Sequence, residues 1–282
     1  VEMDAGGKGI NVSKTIKALG GDSIAAGFIG GSSGSIIKNV LSGMGITTDF
    51  VEVEGETRTN LKVVEAKGNV TELNEPGPRV SGPQLEELLC KLEGYAGPDT
   101  LFVLAGSIPA GVPGDIYRII TERVHEKGSK VLLDADGELF AQGIQAKPYV
   151  IKPNKYELAT YFGVSQDCSN EEMISLAKTL LNEECRLVVV SMGKEGSIFL
   201  SHEGIYQAEA LHIQAHSSVG AGDAMVAAIA YALEQDTPME QLIALAVACS
   251  AGAVMTKGTQ PAEKAVVEKL MKQVTIKKLE EN

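Results

Sequence analysis

Late in the chain, Gly220-Ala221-Gly222-Asp223 stands directly before AMVAAIAYAL, a run that is apolar on every side. Glycine is costly inside a helix and aspartate is costly in a core, so the placement asks for a chemical reason. A helix opening here leaves the amides of Ala221, Gly222 and Asp223 without intrahelical partners, and such an end attracts anions. Gly220 and Gly222 let backbone approach a ligand with no side chain between. Asp223 can equally be a helix cap that complements the dipole. The flanking glycines and the apolar helix behind it tilt the reading towards chemistry. That chemistry is phosphoryl transfer, with the aspartate taking a hydroxyl proton while the amides stabilise the moving phosphoryl group. At a helix N-terminus such a carboxylate is expected to stay ionised and act as a weak base, which suffices for a loose transition state. No G-x-x-x-x-G-K-[ST] loop occurs, and GAGDAM lacks the third glycine of a dinucleotide fingerprint, which also disfavours an oxidoreductase.

Five further stretches carry polar residues where a ligand could meet them. In DAGGKGINV three glycines surround Lys8 ahead of a helix, forming an anion-friendly turn with a cation at its tip; Asn11 could cap the helix or bond a sugar hydroxyl. A flexible turn with a solvated lysine is the plain alternative. In KPNKYEL, Asn154 and Glu157 are spaced as an N-cap and its third helical residue, so a capping box explains them without a ligand. Its place after an apolar strand keeps a nucleotide–metal role open, with Glu157 acting on magnesium through water. SMGKEGS reads first as a hairpin turn and second as a nucleotide-lining segment. AGSIPAG ends a strand with small residues, so Ser107 could meet substrate, and ETRTNLK sets Arg58 on an excursion from the main rhythm. Arginine is a good fork for phosphate, although exposed arginines are usually just solvated.

The elements that must position these groups follow from hydropathy. TLFVLAGS, KVLLDA, PYVIKPN and RLVVVSMG are near-continuous apolar runs, each followed by a helical pattern. Such strands are buried on both faces, which predicts a doubly wound, mainly parallel α/β sheet with ligands beyond the strands' carboxyl ends. Helices are expected over 11–19 and 33–44, a strand at SIAAGFIG, and a helical tail from Pro238 to Lys278. Residues 50–76 read as a small antiparallel lid, with AKGN as its hairpin turn. The 282 residues are expected to form a single domain carrying that lid.

A net charge of −12 argues against nucleic-acid binding, since phosphate neutralisation needs a surplus of Lys and Arg. Cys90, Cys168, Cys185 and Cys249 are scattered without zinc-like spacing, which fits thiols in a reducing compartment. With no signal peptide and no apolar run of membrane-spanning length, the expected location is the cytoplasm, away from membranes.

The order of the motifs adds a further observation. GGKGxN, TRxN, GSxPxG, KPNxxE, SxGxEG and GAGD, in that sequence, resemble the PfkB carbohydrate kinases of the ribokinase fold, essentially end to end. The segment GETRTNLKVVEAKGNVTELNEPGP looks most like the branch that phosphorylates fructose 1-phosphate, with tagatose 6-phosphate kinases close by. The resemblance implies Asp223 as catalytic base, with Gly220, Ala221 and Gly222 as its anion hole. Gly7, Lys8, Asn11, Arg58, Asn60 and Ser107 would meet the sugar phosphate. Lys152, Asn154, Ser191, Gly193, Glu195, Gly196, Gly222 and Ser250 would meet ATP, and Glu157 would act on Mg2+ through water. It also implies a homodimer paired through the lid. Relatives open with a strand bearing N-P-x-x-D, whose aspartate binds sugar hydroxyls. Nothing here corresponds to it, so the sheet is expected to lack its first strand, and a catalytically impaired sugar-phosphate binder is the alternative to an active kinase.

Overall fold

The computed structural model describes residues 4–64, 70–213 and 219–279. In chain order these form α1 (Lys8–Leu19), β1 (Ile24–Ile29), α2 (Gly31–Gly43), β2 (Thr47–Glu52), β3 (Asn60–Val64) and β4 (Val70–Asn74). There follow α3 (Gly82–Tyr95), β5 (Leu101–Ala105), α4 (Ile116–His125), β6 (Lys130–Asp134), α5 (Gly137–Gly143), β7 (Val150–Ile151), α6 (Lys155–Phe162) and α7 (Asn170–Lys178). The chain continues with β8 (Leu187–Ser191), β9 (Ser197–Ser201), β10 (Gly204–Ala208), α8 (Ala221–Glu234), α9 (Met239–Met255), α10 (Lys264–Met271) and β11 (Ile276–Leu279).

Seven strands make the central sheet in the order β11-β10-β9-β8-β7-β6-β5. β5 to β8 are parallel, and β9, β10 and β11 add antiparallel at one side. The continuous apolar runs are explained by burial on both faces. Leu132 and Val189 point into a core shared with α1, α8, α9 and α10. Their neighbours Leu133, Val188 and Val190 point into the opposite core, against α3 to α7. Because the parallel strands all run one way, Gly106, Asp134, Lys152 and Ser191 arrive together at the carboxyl edge of the sheet.

Two small sheets stand apart from this one. β1 pairs with β2 in a parallel ribbon, so the predicted strand at SIAAGFIG exists but belongs to its own sheet. β3 and β4 form an antiparallel hairpin with Leu61 opposite Leu73, both exposed. The hairpin turn expected at 66–69 lies outside the described residues. The tail differs from expectation: after α10 the chain enters β11, which pairs with β10. Alternation in so short a strand is too weak to break the helical reading. Among the described residues, no helix is long and apolar enough to cross a membrane.

Candidate active site

Asp134, the last residue of β6, is the hub of a buried charged group. Its Oδ1 lies 2.9 Å from Lys152 Nζ and its Oδ2 lies 3.1 Å from Lys8 Nζ. Asp134 and Lys152 are both buried, while Lys8 is partly open to solvent. Burial works against the Asp134 carboxylate, but the two ammonium groups outweigh it and hold its pKa below the ordinary value. Burial likewise opposes the Lys8 charge, yet Asp134, Asp223 and Glu157 together raise its pKa. Lys8 is the first residue of α1 rather than the tip of a loop, with Gly7 as N-cap. Its stem runs along Gly106 at the end of β5, where an added Cβ would stand 3.6 Å from Lys8 Cβ.

Asp223 is the third residue of α8, whose N-cap is Gly220 in a left-handed conformation. Among the described residues, its carboxylate takes no hydrogen bond from its own helix. Instead its Oδ2 accepts a 2.7 Å hydrogen bond from Asn11 Nδ2 on α1. Burial pushes the Asp223 pKa up, with Asp134 adding to the rise, and the Asn11 bond and the two lysines only partly offset this. The carboxylate is therefore a stronger base than its helix position suggested, because removal from water outweighs the helix terminus. Lys152 Nζ stands 3.8 Å from where a Cβ on Gly222 would lie, so this ammonium sits beside the first amides of α8. Among the described residues, Asn11 Oδ1 is buried without a partner.

A second cluster flanks the first. Asn154 caps α6, its Oδ1 accepting from the Glu157 amide at 2.8 Å, while Glu157 Oε2 accepts from the Asn154 amide at 2.8 Å. The capping box is thus real, and it fixes Glu157 where its field reaches Lys8. Burial raises the Glu157 pKa, and the Asn154 amide and Lys152 act against that rise. Asn154 also bridges to Ser191 at the end of β8. Gly193 to Glu195 form a short 3-10 turn closing the β8–β9 hairpin at Gly196, and Lys155 Nζ lies 3.6 Å from Glu195 Oε2. Ser250 lies half-buried on α9, which packs on α8.

The tertiary structure therefore brings Lys8, Asn11, Lys152, Glu157 and Asp223 together. Arg58, Asn60 and Ser107 are exposed and lie outside this hydrogen-bonded group, with Arg58 laid against Gly77. Asp134 was not singled out from the sequence, although a carboxylate closing the buried strand KVLLD is the kind of signal that finds it. Among the described residues, no three His, Cys, Asp or Glu side chains gather as a metal cage. Both Asp134 oxygens face ammonium groups, whereas among the described residues Glu157 takes its hydrogen bond at Oε2 alone. This donor set fits a cation that keeps its waters and is held mainly by phosphates.

A buried carboxylate at a glycine-framed helix end, with two lysines beside it, is an arrangement that phosphoryl transfer can use, and it stands here on a ribokinase-like fold. The chain belongs to the pfkB family of carbohydrate kinases, which it matches over residues 1–265. It is 32% identical over 275 residues to the 1-phosphofructokinase of Haemophilus influenzae, covering 97% of this chain and 88% of that one. It is 36% identical over 221 residues to the D-tagatose-1-phosphate kinase of Bacillus licheniformis, covering 78% and 72%. The structure of Escherichia coli phosphofructokinase-2 in complex with substrates and products superposes with a TM-score of 0.90 at 26% identity, covering 95% and 87%. The protein is accordingly a phosphotransferase with an alcohol acceptor, using ATP as donor.

Proposed function

We propose that this chain transfers the γ-phosphoryl group of ATP to the 6-hydroxyl of fructose 1-phosphate, giving fructose 1,6-bisphosphate and ADP. The observation that carries the reading is Asp223: buried, raised in pKa, held by Asn11 and set at the glycine-framed start of α8. Asp223 takes the proton as the sugar oxygen bonds to phosphorus and the bond to the ADP oxygen breaks. The amides of Gly220, Ala221 and Gly222, with Lys152 beside them, stabilise charge on the moving group. Gly7, Lys8, Asn11, Arg58, Asn60 and Ser107 hold the sugar phosphate in this reading. Lys152, Asn154, Ser191, Gly193, Glu195, Gly196, Gly222 and Ser250 hold the nucleotide. Mg2+, when bound, would neutralise phosphate charge, and Glu157 would be the residue that holds it, through water.

The reading treats residues 1–282 as one kinase unit with a lid at about 50–76, through which two copies pair. The exposed Leu61–Leu73 pair supports that contact. Because both substrates are cytosolic metabolites, it places the enzyme in the cytoplasm.

Replacing Asp223 by Asn tests the core of the proposal: turnover should fall by at least ~10²-fold. The KM for sugar phosphate should change little. Turnover that survives the substitution would remove Asp223 from the base role. A second reading is a tagatose phosphate as acceptor, favoured by the similarity to a tagatose-1-phosphate kinase. Comparing kcat/KM on fructose 1-phosphate, tagatose 1-phosphate and tagatose 6-phosphate decides among them. Calorimetric binding of fructose 1-phosphate without ATP consumption would instead identify a sugar-phosphate binder.

A further inference from the structure

The root of the lid is fastened by a carboxylate that the phosphoryl-transfer chemistry does not use. Between β2 and β3 the chain folds back onto Gly30-Gly31-Ser32-Ser33-Gly34, where α2 begins. There Glu56 Oε1 accepts from the Ser32 amide at 3.1 Å and Oε2 from the Ser33 amide at 3.0 Å. The Ser32 hydroxyl lies 3.3 Å and 3.2 Å from the same two oxygens. Next along, Thr57 closes a second loop of bonds. Its Oγ1 accepts from the Gly30 amide at 2.8 Å, and its own amide donates to the Gly30 carbonyl at 2.9 Å. The Thr59 amide then donates to Glu75 Oε2 at 2.8 Å, tying the other leg of the lid to the same root.

On the α2 side the fit is close at two glycines. Gly31 has φ 63, and a Cβ there would collide with the Glu56 carboxylate; one on Gly30 would collide with the carbonyls of Val53 and Gly55. Two charge-assisted bonds to helix-end amides also hold the Glu56 pKa below its ordinary value, so the carboxylate stays charged and seated. A plain helix cap comes from the residue next to its helix. This one comes from the start of the lid, and Arg58 and Asn60 follow it by two and four residues.

We propose that Glu56 is a positioning residue: seated on the first amides of α2, it sets where the lid begins and thereby where Arg58 and Asn60 meet the sugar phosphate. The proposal rests on the lid roles given under the proposed function, so its test includes a variant of the lid contact itself. E56A, E56Q and R58A are compared in the full chain by steady-state kinetics and by amide hydrogen exchange without substrate. Glu56 is exposed, so all three should melt close to the parent. E56A should raise the KM for fructose 1-phosphate about tenfold, with the KM for ATP and kcat within about twofold of the parent. E56Q, which keeps one acceptor oxygen, should fall between. Exchange at the Thr57 and Thr59 amides should quicken about tenfold in E56A. Unchanged exchange at those amides overturns the clasp. Faster exchange with an unchanged sugar KM, while R58A raises it, overturns the positioning role and leaves the kinase reading intact. Equal rises in both KM values also overturn it, since they report general loosening. R58A with a normal sugar KM overturns the lid's role in sugar binding, and the positioning of Arg58 with it.

Discussion

Asp134 and Asp223 are buried in one charged group, yet their surroundings move their pKa values in opposite directions. Asp134 is flanked by two ammonium groups, and Asp223 has an amide and a distant share of their field. Environments that separate two carboxylates in this way suit them to different tasks: Asp134 holds two ammonium groups, and the proposed mechanism has Asp223 move a proton. The Asn11 bond favours the charged form of Asp223, so Asn11→Ala should move the acid limb of the kcat/KM profile to higher pH. A limb that stays put would show that Asn11 does not tune the base. Stability should separate the two aspartates as well. Asp134, lowered in the fold, contributes stability above its unfolded pKa that is lost as pH falls through its folded pKa. Asp134→Asn should cost about 3–5 kcal/mol at neutral pH, because Lys152 is left buried without its counter-charge. Asp223, raised in the fold, costs stability as pH rises through its folded pKa. Asp223→Asn should therefore melt at or above the parent at neutral pH, a result that a purely structural cap would not give; calorimetry on both variants reads this directly.

At the scale of elements, the proposed mechanism gives the first turn of α8 the work that a phosphate-binding loop does elsewhere. Its position comes from packing against α1, which carries both Lys8 and Asn11, and from the carboxyl edge of the sheet, which carries Asp134 and Lys152. Gly222 is helical, so alanine there is favoured by backbone propensity, by about 1 kcal/mol. Its methyl, however, would stand beside the Lys152 ammonium, in the space where an anion reaches the amides. Gly222→Ala should thus fold as well as the parent and lose about tenfold or more in kcat/KM, since one blocked donor site is worth that much. Normal activity in that variant would show that the phosphoryl group does not approach this turn.

For the whole molecule, the exposed hairpin is the unfinished part. A two-stranded hairpin is marginal by itself, and Leu61 and Leu73 face each other across it with 48% and 56% of their surface open. Pairing through the lid would cover them. The double variant L61R/L73R should sediment as a smaller species than the parent at the same concentration; an unchanged sedimentation coefficient would place the subunit contact elsewhere.

Much of this was legible in the sequence because burial on two faces leaves a mark that needs no partner to be read. The runs at 101–105, 131–133, 150–151 and 187–190 are apolar throughout, which dictates a parallel sheet covered by helices, and hence a ligand edge. Gly220 to Asp223 and the Asn154–Glu157 box were likewise visible, because helix starts are local chemistry. What the sequence could not contain is the distance between residues far apart in it. Asp134 lies between Lys8 and Lys152, Asn11 meets Asp223, and Glu56 reaches back to Ser32 and Ser33 only once the strands are stacked in register. The base strength of Asp223 belongs to the same class. Local sequence placed the carboxylate at a helix end, which favours its charge, and tertiary burial then reversed the balance by taking away the water.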